Sequence, residues 1–334
     1  MQHNIIHLKR SLRRIGLSDS IIEAAWPDWW SEDAAASGAA QSELRFSLAR
    51  KLGLDPRSLF DEQMDPRFVW VDGSRFKNLS AATVREKAAI TSFGISFARL
   101  LFSSFPARKF DENLSALEIR KAILASHRYV GLKEIVGLCW ALGIPVVHLR
   151  VFPLPAKRMH AMSVEVGGRY AILLGKDSVF PAQIAFYLAH ELGHILLGHL
   201  HDNQVIVDLE SETGERLDKD DDEEKTADQF ALTLLTGEPE LQLKANTNNF
   251  TSRQLAEVSY TASSNLGIEP GTFAMCYGYA SEDWPKAMAA LRHIYRVPQD
   301  VWMFVNKVAE KELDLSEMQH DSGRFLAAVL GLSS

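Results

Sequence analysis

A chain of 334 residues, 46% apolar and 24% charged, has an ordinary soluble composition and is too long for one minimal core, so two or three compact units are expected. Its net charge of -7 excludes an overall electrostatic footprint for nucleic acid, leaving only the option of a local basic patch.

The first residues, MQHNIIHLKRSLRRIGL, carry charge without a continuous apolar core, so no secretory signal is read there and a cytoplasmic protein is expected. Residues 1–65 read as a unit of short helices. SDSIIEAAW follows a cap at Ser18, and SELRFSLARKLGL follows an expected cap at Ser42 and is stopped by Gly53 and Pro56. The WPDWW cluster reads as packing surface, because large aromatic rings are mostly buried. Residues 66–112 form a connector. DPRFVWVDGSRF reads as extended, and the helical SAATVREKAAITSFGISFARLLFSS follows. The most apolar stretch, 88–105, contains Arg99 and several serines and is too polar and too short to span a bilayer.

Residues 113–240 read as a mixed core. LSALEIRKAILAS and GLKEIVGLCWALG are helical, the second with Ile135, Val136, Cys139 and Leu142 at a 3.6-residue period. IPVVHLRVFPL is β-branched, and AMSVEVGGRYAILLG reads as two strands joined at Gly167 and Gly168. A helix starts near Pro181, where proline suits the first turn. A polar, acidic run leads to EEKTADQFALTLLTG, which stops at Gly237 with Pro239 beyond; the acidic part, 209–224, reads as a lid or a plain solvated loop. Residues 241–334 read as a C-terminal helical unit that covers the core or serves substrate recognition or homodimer formation. Cys139 and Cys276 are isolated in apolar surroundings, which suits neither a disulfide framework nor a thiolate metal cluster.

The chemistry sits in FYLAHELGHILLGHLHD. His190-Glu191-Leu192-Gly193-His194 is the pattern H-E-x-x-H. On a helix the two histidines share a face and can reach one ion, while Glu191 can take a proton from an attacking water. A buried helix carrying these polar groups without an ion would need partners for all of them. Catalytic zinc usually takes three protein ligands. His199 and His201 miss by one the register of the extended H-E-x-x-H-x-x-G-x-x-H pattern, since Leu197 and Leu200 occupy its glycine and histidine positions. They read as imidazoles at a polar helix end, favoured by the dipole. The following helix is the other source of a third ligand. Glu224, Ala227, Asp228, Ala231 and Leu235 lie on one face, so an inward carboxylate can complete the metal shell and an aspartate one turn on can accept the far N–H of a ligating histidine.

H-E-L-G-H followed some thirty residues later by E-x-x-A-D-x-F-A (Glu224, Ala227, Asp228, Phe230, Ala231) resembles the ImmA/IrrE family of gluzincin-type metallopeptidases. The upstream helix and the strands IPVVHL and RYAILLG match the family's arrangement, and the similarity covers about 113–240. The family's usual LLMP ending reads LLTG here. The resemblance implies Zn2+ held by His190, His194 and Glu224, Glu191 as general base, and Asp228 as hydrogen-bond partner of a ligand. The expected fold class is α+β, mainly helical, with a zincin-like metallopeptidase core containing a small β-sheet, flanked by helical N- and C-terminal domains. Tyr170, Ala171, Ile172, Leu173 and Leu174 are expected to form an edge strand that pairs with an extended substrate. By the same resemblance the substrate would be a transcriptional repressor or antitoxin-like protein, with a non-proteolytic metal-stabilised regulator or toxin–antitoxin partner as the alternative.

Residues 1–65 also resemble an Xre-type helix-turn-helix domain, with LKRSLRRIGLSDSIIEAAW as its opening and LARKLGLDPRSLF as its closing helix. Between Ile15 and Leu44 there is no Lys or Arg but six acids, Asp19, Glu23, Asp28, Glu32, Asp33 and Glu43, which would repel phosphates. Protein contact is therefore expected over DNA binding, with Lys9, Arg10, Arg13 and Arg14 as the residues that keep DNA open.

Overall fold

The computed structural model describes residues 2–61, 63–71, 74–77, 83–109, 114–155, 159–201, 204–209, 222–240, 243 and 250–332. The suggested lid within 209–224 falls mostly outside them. Helices dominate. In the N-terminal part these are α1 (Gln2–Arg14), α2 (Asp19–Ala25), α3 (Glu32–Ala36), α4 (Gly38–Leu52) and α5 (Pro56–Phe60). Ser18 caps α2 as its sequence suggests, its hydroxyl accepting from the Ile21 N–H at 3.2 Å. Ser42 does not cap α4. That helix starts at Gly38 under Ser37, whose hydroxyl accepts from the Ala40 N–H, and Ser42 donates instead to the Gly38 carbonyl. The run GAAQ propagates the helix upstream because nothing in it breaks one. Trp26 and Trp30 pack on the core, while Trp29 is partly exposed.

The extended connector supplies β1 (Ser74–Lys77) and leads to α6 (Val84–Ser103). Almost every residue of α6 from Ala88 to Leu101 is buried, because the helix lies between the N-terminal helices, the sheet and the C-terminal helix. A helix apolar on all sides is a central core helix here. Among the described residues, no helix is long and apolar enough to cross a membrane.

After α7 (Ala116–Leu124) and α8 (Leu132–Ala141) come β2 (Val146–His148), β3 (Met159–Val166), β4 (Arg169–Leu174), α9 (Pro181–Leu196), β5 (Val205–Leu209) and α10 (Asp222–Thr236). Among the described residues the sheet has five strands in the order β1-β5-β3-β4-β2. β5 comes from the polar run after α9, where the β-branched VIV is enough to continue a sheet. β3 and β4 form the expected hairpin. Alternation along β3 sends Met162 and Val164 against Gly94 of α6 and Ser163 against Glu191 of α9. The sheet is thus covered on both faces, with α9 below it and α10 packed along α9.

The structure corrects the expected substrate strand. Tyr170, Ala171, Ile172, Leu173 and Leu174 lie in β4, an inner strand that pairs with β3 on one side and, from Ile172 on, with β2 on the other. Even the outer side of β2 is covered. Asn306 accepts from the His148 N–H and donates to the His148 carbonyl, each at 2.7 Å. Among the described residues, β4 from Ile172 on therefore offers no open ladder to an extended peptide.

The C-terminal helices are α11 (Ser252–Leu266), α12 (Pro270–Ser281), α13 (Trp284–Ile294), α14 (Val301–Glu312) and α15 (His320–Leu330). One buried cluster runs from Leu8 in α1 to Leu330 in α15, and a smaller one joins Phe180 to α11, α12 and α13. Cys139 and Cys276 are both buried; burial pushes the Cys276 thiol up to about 12, so it behaves as a small apolar side chain.

Candidate metal centre

α9 begins with Pro181 in its first turn and is held by the burial of Ile184, Ala185, Leu188, Ala189, Leu192 and Ile195. His190, Glu191 and His194 lie within this apolar helix at 4%, 1% and 1% exposure. So deep a set of polar groups requires a partner for each. The one-turn spacing brings the two ligand-type imidazoles face to edge, their Nε2 atoms 3.0 Å apart. Glu224, in the first turn of α10, closes the triangle. Its Oε2 is 3.3 Å from His190 Nε2 and its Oε1 is 3.4 Å from His194 Nε2. α10 comes this close because Gly193 faces it: a Cβ there would stand 3.2 Å from Phe230 Cβ and 3.3 Å from Ala227 Cα. Among the described residues, His190, His194 and Glu224 are the group able to hold a metal ion.

The triangle fits a divalent cation. Bonds of about 2.0–2.1 Å in a tetrahedral site imply ligand–ligand edges of about 3.3–3.4 Å, and the observed edges are 3.0, 3.3 and 3.4 Å. The outer contacts agree. His190 Nδ1 lies 2.9 Å from Asp228 Oδ1. With its Nδ1–H donating to that carboxylate, a neutral His190 turns an Nε2 lone pair toward a Glu224 oxygen, and a cation between them would convert that repulsion into coordination. Burial, the largest influence on it, holds His194 below the usual imidazole range, with His190 acting the same way and Glu224 opposing; the neutral ring is the form that ligates.

Glu191 points to the sheet side. Its Oε2 accepts from the Ser163 hydroxyl at 2.5 Å, and its backbone carbonyl accepts from the same hydroxyl at 3.2 Å. Burial pushes its carboxyl up to about 7; the charges of Asp208 and Glu224 act in the same direction, while His190 and the Ser163 hydroxyl pull it down. A carboxyl poised near neutrality is suited to take and return a proton. Asp208 is itself held by His160, whose Nδ1 is 3.1 Å from Asp208 Oδ2 and whose ring stacks on Tyr187, one helical turn before Glu191. A β-bulge between Met159 and Ala161 places His160 there, since the extra residue breaks the strand's alternation and re-aims the side chain.

Five of the residues singled out from sequence therefore meet in one place: His190, Glu191, His194, Glu224 and Asp228. The strand 170–174 does not join them. His201 is exposed. His199 does not lie at the triangle, but it is no idle helix-end residue either, because its Nδ1 is 2.9 Å from the Nδ1 of His194. Ser163, His160 and Asp208 escaped the sequence reading. Ser163 left one signal, a hydroxyl between the buried Met162 and Val164.

Residues 139–262, which include the whole triangle, match the family model of the IrrE N-terminal-like domain, Peptidase_M78. No curated protein and no solved structure matches the chain. The family match supports the resemblance to the ImmA/IrrE family and, at a coarse level, a metallopeptidase-family protein with peptidase hydrolase activity.

Proposed function

We propose that the protein is a zinc-dependent endopeptidase of the gluzincin type, with a zincin-like core, in which His190, His194 and Glu224 hold the metal and Glu191 is the general base. The observation that carries this reading is the convergence of two imidazoles and a carboxylate at tetrahedral spacing, beside a fourth group whose carboxyl is pushed to about 7. Zinc, when bound, supplies Lewis-acid polarisation of a peptide carbonyl and acidifies water. Glu191 accepts the proton of the attacking water and returns it to the leaving amine. Ser163 fixes the rotamer of Glu191, and Asp228 orients His190.

The substrate we propose is a repressor or antitoxin-like regulator, engaged by protein contact more than DNA binding. Three of the four cationic side chains near the N-terminus are tied within the protein: Arg13 pairs with Asp19, Arg14 with Asp65, and Lys9 lies over the Trp26 ring.

The test is metal analysis of the purified protein, followed by incubation with the product of a neighbouring gene. Glu191→Gln is expected to keep zinc and lose cleavage. Wild type and Glu191→Gln behaving alike would sink the peptidase reading. One observation favours a second reading. Glu191 and His194 are each 1% exposed, as in a closed structural metal site rather than an open catalytic one. A metal-stabilised regulator or toxin–antitoxin partner would then bind zinc and its protein partner equally well with or without the Glu191 carboxylate.

A further inference from the structure

We propose that His199 is a positioning residue for the metal ligand His194, setting its tautomer and ring orientation. The inference rests on the metal-centre reading above and adds to it a residue that no H-E-x-x-H pattern contains.

The backbone builds this contact. Beyond Leu196 the chain closes α9 with two hydrogen bonds, from the Gly198 N–H to the Ile195 carbonyl at 3.2 Å and from the His199 N–H to the His194 carbonyl at 2.9 Å. Gly198 has φ +71. These are the bonds of a Schellman motif, with the left-handed residue supplied by glycine. In that motif the residue after the glycine lies beside the residue three places in from the helix end, and an apolar contact often joins them. Here both positions are histidine. Their rings are 5.1 Å apart at 67°, and they meet through nitrogens.

We assign the protons along this path from its far end. The Thr226 hydroxyl lies 2.9 Å from the Asp222 carbonyl and 3.0 Å from the Glu223 carbonyl. Carbonyls only accept, so the hydroxyl donates to them and offers a lone pair to His199 Nε2, 3.5 Å away. In this assignment a neutral His199 carries its proton on Nε2 and accepts at Nδ1. His194 Nδ1, 2.9 Å from it, is then the donor. A neutral His194 protonated on Nδ1 keeps its Nε2 lone pair for the triangle with His190 and Glu224. A plain helix-end histidine would need none of this alignment; His201, two residues on, is exposed. Both ligand imidazoles thus have an acceptor behind them, a carboxylate for His190 and an imidazole for His194. The acceptor Asp228, the ligand Glu224 and the anchoring Thr226 all belong to α10.

The test uses the full chain. Zinc affinity is measured by competition with a chromophoric chelator, the Co(II) absorption spectrum reads ligand geometry, and a thermal melt of the metal-free protein checks the fold. His199→Phe keeps the ring but removes the acceptor. It is expected to weaken zinc binding about 10–100-fold and to shift the Co(II) bands, as loss of a ligand's hydrogen-bond partner does. His199→Asn, whose side-chain oxygen replaces Nδ1, is expected to restore most of the affinity, and Thr226→Val to cause a smaller loss. Wild-type affinity and spectrum in His199→Phe overturn the proposal; if that variant does not fold, wild-type affinity in Thr226→Val does so. Wild-type protein that takes up no zinc overturns the metal-centre reading and this inference with it, whereas normal wild-type uptake with an indifferent His199 overturns the inference alone.

Discussion

The sharpest stability prediction concerns Gly193, one of the two unspecified positions in the H-E-x-x-H pattern. A Cβ at Gly193 would meet Phe230 Cβ and Cδ1 at 3.2 Å and Ala227 Cα at 3.3 Å. Carbon atoms pack best at about 3.5–4.0 Å, so an alanine asks α9 and α10 to part by a few tenths of an ångström. That cost is offset by the roughly 0.5–1 kcal/mol a helix interior gains when glycine becomes alanine. Gly193→Ala is therefore expected to be close to neutral in stability, with a loss of zinc affinity smaller than that of Gly193→Val. Gly193→Val adds two methyl groups to the same carbon, in a side chain with one strongly preferred helix rotamer, and cannot turn them away from α10. Overpacking of this kind costs about 1–3 kcal/mol.

The larger consequence falls on the metal. Glu224 sits one turn before Ala227 on α10, and its oxygens are placed 3.3 and 3.4 Å from the imidazoles by the same helix contact. Metal–ligand distances tolerate only about 0.2 Å, so a helix displaced by a methyl group takes Glu224 out of bonding range. Gly193→Val should weaken zinc binding by at least about tenfold, measured by chelator competition, with a urea melt of the metal-free protein reading the packing cost separately. If Gly193→Val binds zinc as wild type does, the closeness of α9 and α10 does not set the triangle and the reasoning is wrong.

Three further outcomes follow from buried polar groups away from the metal. Arg120 donates to the Leu234, Leu235, Leu266 and Gly267 carbonyls, joining the ends of α10 and α11; Arg120→Met should cost about 2–4 kcal/mol in a urea melt, and Arg120→Lys should recover little because one ammonium cannot reproduce the planar fork. Lys51 is fully buried and pairs with Asp321 at 2.6 Å across α4 and α15; burial pulls its pKa down and Asp321 pulls it back. Asp321→Ala strands that charge and should cost about 3–5 kcal/mol, while the double replacement Lys51→Met with Asp321→Leu should cost clearly less; equal losses would contradict the pairing. Burial raises the Glu269 carboxyl above its ordinary value, with its hydrogen bonds from Tyr295 and Thr272 opposing. Its contribution to stability is therefore full below the unfolded pKa and is lost as pH rises through the folded one. The melting temperature of Glu269→Gln should gain on wild type from acid to neutral pH, and a constant difference would rule this out.

The features legible in the sequence are those set within one element. The 3.6-residue period that makes α9, the one-turn spacing of His190 and His194, and the shared face of Glu224 and Asp228 are local properties, and each could be read from a dozen residues. The mainly helical α+β class follows from the same periods. What escaped reading was set by distant chain. Whether β4 is an edge depends on β2, and whether β2 is an edge depends on Asn306, which bonds a strand 158 residues away in sequence. β5 needs β3 beside it before VIVDL becomes a strand rather than part of a polar run, and His160 needs a bulge before it can reach Asp208.

The proposed metal triangle lies at the meeting of these two kinds of information. Its ligands can be proposed from spacing, but spacing leaves the third one free to come from any carboxylate on a neighbouring helix. Two small details shape the triangle: the missing side chain at Gly193, which lets α10 approach with its carboxylate, and the left-handed Gly198, which turns His199 back onto His194. Neither is a ligand, and neither carries a charge. A pattern written as H-E-x-x-H treats the first as filler and omits the second, although together they shape how the carboxylate reaches the imidazoles and how one of those imidazoles is aimed.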